Sequence, residues 1–195
     1  MKKLILILLL GCQFMNAQLK VQDSVPAAKL THRKNEVRVD VLSMVAFSKL
    51  NLTYERFLNR SFSIGLSGNY ADSKKVNDDF DSGNRNTIPK YEITPFIRYN
   101  LSKGYSSFYF AEIFASANGG DFRETVRLTD NNIGYYTIQK TKYSDVALGA
   151  GVGYKFYIKE RIGIEFLVGF GSNLTNKKKS PDVLSRVGLS VGYRF

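Results

Sequence analysis

From Val37 onward, hydrophobic and polar residues alternate with a period of two along nearly the whole chain, the pattern of strands with one apolar face. Val37, Val39, Val41 and Val45 alternate with Arg38, Asp40, Leu42 and Met44; Leu50, Leu52 and Tyr54 then alternate with Asn51, Thr53 and Glu55. After a tight turn at Asn59-Arg60, Phe62, Ile64, Leu66 and Tyr70 alternate with Ser63, Gly65, Ser67 and Asn69, which predicts a third strand. A polar stretch over 71–87 predicts a long loop. Tyr91, Ile93, Ile97 and Tyr99 against Glu92, Thr94, Phe96 and Arg98 predict a fourth strand. Pro95 sits in mid-strand, where its missing N–H predicts a local bulge.

The fifth strand, about Ser107 to Ala117, is apolar on both sides, so the pattern leaves its facing open. Phe122 to Thr129 and Gly134 to Thr141 read as a polar hairpin projecting beyond the sheet. Strand six sets Val146, Leu148, Ala150, Val152, Tyr154 and Phe156 against Ala147, Gly149, Gly151, Gly153 and Lys155. Strand seven runs from Ile162 to Gly171 and strand eight from Arg186 to Phe195. No helix is required.

Eight such strands, with one apolar face and one face of Gly, Ser and charge, predict an all-β fold: an eight-stranded antiparallel up-and-down transmembrane β-barrel. A soluble barrel would carry its charges outside and its apolar residues within. Connections alternate between short (59–60, 101–105, 158–161) and long (71–87, 118–143, 172–182), as short periplasmic turns and long outer loops require. The first outer connection, near Phe47 to Lys49, is the exception.

The amino terminus changes the picture of where this barrel resides. Met1-Lys2-Lys3 followed by Leu4 to Leu10 is a basic and then apolar run, and Met15-Asn16-Ala17 ends in a small residue, so residues 1–17 read as a cleaved signal peptide. Residues 18–35 follow as a periplasmic lead-in and 36–195 as the barrel, which places the protein in the bacterial outer membrane. Leu9-Leu10-Gly11-Cys12 is the alternative, a lipidation box at Cys12. With one Cys and one His in 195 residues, an intramolecular disulfide and a Cys/His zinc cluster are excluded. The formal charge of +11 on an exported chain points to lipopolysaccharide and anionic lipid, not nucleic acid.

Three segments carry a resemblance. Asn51-Leu52-Thr53-Tyr54-Glu55-Arg56 with Leu58-Asn59, Thr94-Pro95-Phe96-Ile97-Arg98-Tyr99, and Gly149-Ala150-Gly151-Val152-Gly153-Tyr154-Lys155 resemble the small outer-membrane β-barrel proteins related to OmpX and the OmpA transmembrane domain. Arg186, Gly188, Val191, Tyr193 and Phe195 resemble the β-signal read by the barrel-assembly machinery. The resemblance implies the fold and little about activity, since such barrels include structural proteins, adhesins, narrow channels and a few lipid-modifying enzymes.

Candidate chemistry is sparse. The glycines at 149, 151 and 153 before Lys155 lack the following helix of a phosphate loop and fit small lumen-facing positions. Asp79-Phe80-Asp81-Ser82-Gly83 lacks the closing Glu of a calcium loop, so a solvated loop is expected. His32 precedes the first strand and has no Ser or Asp partner for a triad. Strand parity instead collects Asp40, Glu55, Glu92, Glu112 and Glu165 with Arg38, Arg98, Lys155, Arg186 and Arg194 in the lumen. Such a set reads either as a gated ion path or acid-base site using Glu55 or Glu165, or as an ion-pair filling; a narrow barrel favours the filling. Outside, Arg123, Arg127, Lys140 and Lys142 on the hairpin and Lys177, Lys178 and Lys179 in the last loop are expected to meet lipopolysaccharide or a surface ligand. The expectation is a monomeric, non-catalytic outer-membrane barrel without cofactor or metal, structural or surface-interacting. A narrow channel for ions or small apolar solutes is the alternative, and a lipid-modifying enzyme the third reading.

Overall fold

A computed structural model of the chain describes residues 33–102, 104, 106–130 and 133–195. The expected signal peptide, Cys12, most of the expected lead-in and His32 lie outside the described residues. Eight antiparallel strands close on themselves in sequence order, β1 pairing with β8. They are β1 (Asn35–Asp40), β2 (Lys49–Phe57), β3 (Phe62–Ala71), β4 (Thr87–Asn100), β5 (Ser107–Asp130), β6 (Ile133–Ile158), β7 (Ile162–Asn173) and β8 (Val183–Arg194). Closure leaves the sheet no edge through most of its height, which removes the usual aggregation hazard of a β-sheet.

The two faces follow the alternation. Leu66, Val152, Phe166 and Val191 are exposed on the outer wall, whereas Ser63, Ser67, Thr94, Arg98, Lys155 and Glu165 are buried within. Strand five, undecided by pattern, turns Phe108, Phe110, Glu112, Phe114, Ser116 and Asn118 inward and Tyr109 and Ile113 outward. A single buried carboxylate fixes that choice, since Glu112 outside would face the apolar wall without a partner.

Three expectations need correction. First, β1 stops at Asp40, and Val41–Phe47 form a short helix, α1. The Asp40 carboxylate accepts from the Ser43 amide at 3.0 Å and the Ser43 hydroxyl at 2.7 Å, and Ser48 closes the helix with φ 51°. This N-cap and left-handed C-cap overcome the β-branched Val41 and Val45, and they account for the anomalous first connection. Second, the loop over 71–87 contains a helix, α2 (Lys74–Asp81), whose Phe80 is buried; the calcium-like segment is therefore the end of a helix and a turn at Gly83, φ 92°. Third, the register shift in β4 falls between Pro89 and Tyr91, while the β4–β5 register is unchanged across Pro95.

The β5–β6 ladder continues without a break from Ser107↔Phe156 to Asp130↔Ile133, so the projecting hairpin is one piece with the wall. At the opposite end, the β6–β7 turn places Lys159 and Glu160 at φ 50° and 58°, the left-handed pair that matches the twist of a tight hairpin.

Candidate functional site

Buried charged groups converge in the lumen, and the fold brings a contribution from every strand. Glu36 and Arg38 come from β1, Glu55 from β2, Ser63 from β3, Arg98 from β4, Glu112 from β5, Lys155 and Tyr157 from β6, Glu165 from β7 and Arg186 from β8. Arg98 is the hub. Its Nε donates to Glu112 at 2.6 Å, its two terminal nitrogens grip Glu165 at 2.6 and 2.9 Å, and Nη1 also reaches Glu55 at 3.1 Å. The guanidinium lies over Phe110 and Phe96, 4.2 and 4.6 Å from the ring centroids.

Lys155 forms the second centre, with Nζ 2.9 Å from Glu36, 2.7 Å from Glu55 and 2.9 Å from Glu165. Arg38 bridges Glu36 at 3.1 Å and Glu165 at 3.3 Å and also pairs with Glu55. Arg186 pairs with Glu112, and the Tyr157 hydroxyl donates to Glu36. Three carboxylates, of Glu36, Glu55 and Glu165, come within 4.8 Å of one another, a spacing a metal ion would accept. The Lys155 ammonium already occupies the point between them, so the geometry needs no metal to balance the charge.

Four carboxylates (Glu36, Glu55, Glu112, Glu165) thus face four cations (Arg38, Arg98, Lys155, Arg186) with almost no access to water. Neutral pairing is what makes burial of ions tolerable, since an unpaired one costs several kcal/mol. Below this layer Phe57, Phe108, Phe110 and Tyr157 form an apolar cluster on which Leu167 packs. Charge and aromatic rings together fill the interior, as expected of a barrel this narrow.

The network differs in membership from the set that strand parity collects. Asp40 instead caps α1 and accepts from the Leu189 amide at 3.2 Å. Glu92 accepts from Asn69 at 3.2 Å and Thr94 at 2.7 Å, outside the ion-pair layer. Arg194 lies over Phe57, 3.8 Å from its centroid, and donates to the Arg33 carbonyl at 2.8 Å. Glu36, which sequence reasoning missed, shares the parity of Arg38 and Asp40. Starting the first strand at Val37 hid it.

The basic outer set also divides. Arg123 is buried and holds the end of α2, donating to the carbonyls of Phe80 and Asp81; it is not available as a surface contact. Lys140 pairs with Asp81 at 2.6 Å and thereby holds the Asp81 carboxyl below its usual range. Lys179 donates to Thr141 at 3.3 Å and lies over Phe122. Arg127, Lys142, Lys177 and Lys178 remain exposed.

A further buried carboxylate, Asp145, ties down the last outer loop. Burial opposes its ionisation, but the Ser180 and Thr175 hydroxyls and the Thr175 and Asn176 amides donate to it and hold its pKa well below the usual range. With the folded value lowered, the anchor is present above the ordinary carboxylate range and is lost only as pH falls through the lowered value. Asp145→Ala should therefore speed tryptic cleavage at Lys177–Lys179 by about tenfold or more at neutral pH, the effect of losing charge-assisted hydrogen bonds from a local structure. Unchanged digestion would show that the loop is held by other contacts.

The fold has counterparts among solved structures. The N-terminal β-barrel domain of Pseudomonas aeruginosa OprF is similar at 12% identity and TM-score 0.54, over 84% of this chain and 98% of that one. Ail, the attachment invasion locus protein of Yersinia pestis, is 12% identical with TM-score 0.46, over 84% of this chain and 99% of its own. Neisserial surface protein A is also 12% identical, with TM-score 0.44, over 83% of this chain and 93% of its own. These neighbours are small outer-membrane β-barrels, the group that the sequence motifs resemble. No curated protein matches the sequence. Over residues 4–187 the sequence matches the family described as protein of unknown function (DUF3575), and the chain belongs to that family.

Proposed function

We propose that the protein is an integral barrel of the bacterial outer membrane with a closed lumen, acting as a structural or surface-interacting element and not as a catalyst. The observation that carries this reading is the buried ion-pair layer drawn from seven strands, which β3 joins through the Ser63 hydroxyl on Glu55, and which leaves the extramembrane surfaces as the places for partners. The outer wall supports the membrane assignment. Its apolar belt is bordered near the tight turns by Phe62 with Tyr99, ring centroids 5.1 Å apart, and by Tyr109 with Tyr154 at 4.7 Å. Tyr70 and Tyr91 border it at the other end, where they pair across β3 and β4. Such paired girdles mark the two interfaces of a membrane barrel.

In this topology the β5–β6 hairpin and the 172–182 loop project outward, and exposed Arg127, Lys142, Lys177 and Lys178 meet lipopolysaccharide phosphates, each with on the order of 1 kcal/mol of attraction near the surface. Assembly through the barrel-assembly machinery, using Gly188, Val191, Tyr193 and Phe195, belongs to the same reading. The test is one of sidedness. Tyr136→Cys, on the hairpin, should react with a membrane-impermeant maleimide on intact cells, and Ser102→Cys, at the opposite end, only after lysis. Labelling of Ser102→Cys alone on intact cells would invert the topology and remove the surface reading.

A further inference from the structure

Arg56 is an anomaly on the outer wall. It sits on β2 with the outward parity of Leu52 and Tyr54 and is exposed, and among the described residues it forms no ion pair. A cation on the lipid face is destabilising, least near the interface and most at the midplane. Arg56 lies two residues before the turn that begins at Leu58, hence at the side of the tight turns and, in the proposed topology, toward the periplasmic leaflet.

A trough of about 800 Å³ runs from Arg56 and Tyr54 across β3, β4 and β5 to β6, over Ile64, Leu66, Pro95, Ile97, Ile113 and Leu148. Its floor coincides with the gap that Pro95 leaves in the wall. Leu101 donates to the Tyr109 carbonyl, so odd-numbered residues of β4 are those whose N–H groups serve β5, and Pro95 has none. The β4–β5 ladder accordingly lacks its pairs at Thr94 and Pro95, between Ile93↔Ala117 and Phe96↔Phe114. On the inner side the Phe96 and Phe114 rings lie close over Gly65 and Gly149 and back the gap. The trough is thus an open groove of apolar lining on the outer wall, with a single guanidinium that forms no ion pair among the described residues at one end.

We propose that this groove binds one phospholipid of the periplasmic leaflet, with the phosphate on Arg56 and an acyl chain along the trough. The assignment rests on the outer-membrane reading above. Charge selects the headgroup, since an Arg guanidinium matches phosphate oxygens bidentately. The apolar lining selects the chain, and the location near the tight turns selects the leaflet.

The chain contains no Trp, so single reporters can be placed at will. Ile97→Trp puts one in the trough and Phe166→Trp one on the far wall. Each variant is refolded into phosphatidylcholine vesicles carrying a minor fraction of phosphatidylglycerol, with bromine on the acyl chains of one lipid or the other. The ratio of quenching by brominated phosphatidylglycerol to that by brominated phosphatidylcholine should be about fivefold higher at position 97 than at 166, the enrichment that ~1 kcal/mol per basic side chain gives. Arg56→Gln should bring the two ratios together. Equal ratios in the parent reporters, or an excess indifferent to Arg56→Gln, would overturn the site while leaving the membrane reading intact. Absence of quenching by either lipid at both positions would overturn the membrane reading and the site with it.

Discussion

Replacing Arg98 by alanine should destabilise the folded barrel by about 3–5 kcal/mol, the cost of leaving buried charges without their partner. Arg98 touches Glu55, Glu112 and Glu165 at once and lies over the Phe96 and Phe110 rings. Its loss leaves four acids facing three cations in a space sealed from water. Arg98→Lys should recover only part of the loss, because an ammonium restores charge but not the two-nitrogen grip on Glu165. Urea titration of the protein folded in vesicles measures both variants. An Arg98→Ala midpoint equal to that of the parent would mean that water reaches the layer and the lumen is not sealed.

Gly153→Ala should cost about 1–3 kcal/mol, the range for overfilling a packed core. An added Cβ would lie 2.3 Å from the Phe110 ring and 2.4 Å from the Phe166 carbonyl oxygen, and Phe110 is wholly buried. The ring therefore has nowhere to go. Gly68→Ala, where nothing lies within 4 Å of the added atom, should be close to neutral. Combining Gly153→Ala with Phe110→Leu should cost less than the sum of the two by about 0.5 kcal/mol or more, since the residues are in contact. Strict additivity in the same urea titrations would show that the glycine and the ring do not share space.

These two residues illustrate what the chain reveals before folding. The Gly149, Gly151 and Gly153 series announces small lumen positions by parity alone, yet it does not say what fills the space left by the absent side chains. The rings come from β5, where Phe110 and Phe114 share their strand with equally apolar Tyr109 and Ile113. Periodicity has no contrast to work with there; only closure of the barrel, and the need of Glu112 for Arg98, decides the face.

The lumen cations and carboxylates were readable for a similar reason, and the exceptions have local causes. Asp40 has the right parity, but at the end of β1 its carboxylate does more for the orphan amides of α1 than for a distant cation. Arg123 looks like a surface cation on an exposed hairpin. It is drawn inward by the carbonyls at the end of α2, a helix short enough to be lost among the polar residues of 71–87. The bulge expected at Pro95 is absent: the ladder loses its pairs at Thr94 and Pro95 but keeps its register, and the register shift falls between Pro89 and Tyr91, next to a second proline at the mouth of the barrel.

Planar-bilayer recording of the refolded wild-type protein tests the closed lumen most directly. With four carboxylates and four cations paired across the bore and aromatic rings beneath them, insertion should give no unitary current steps above the bare-membrane baseline. Reproducible discrete steps from the wild-type protein, absent from a heat-denatured control, would contradict the account.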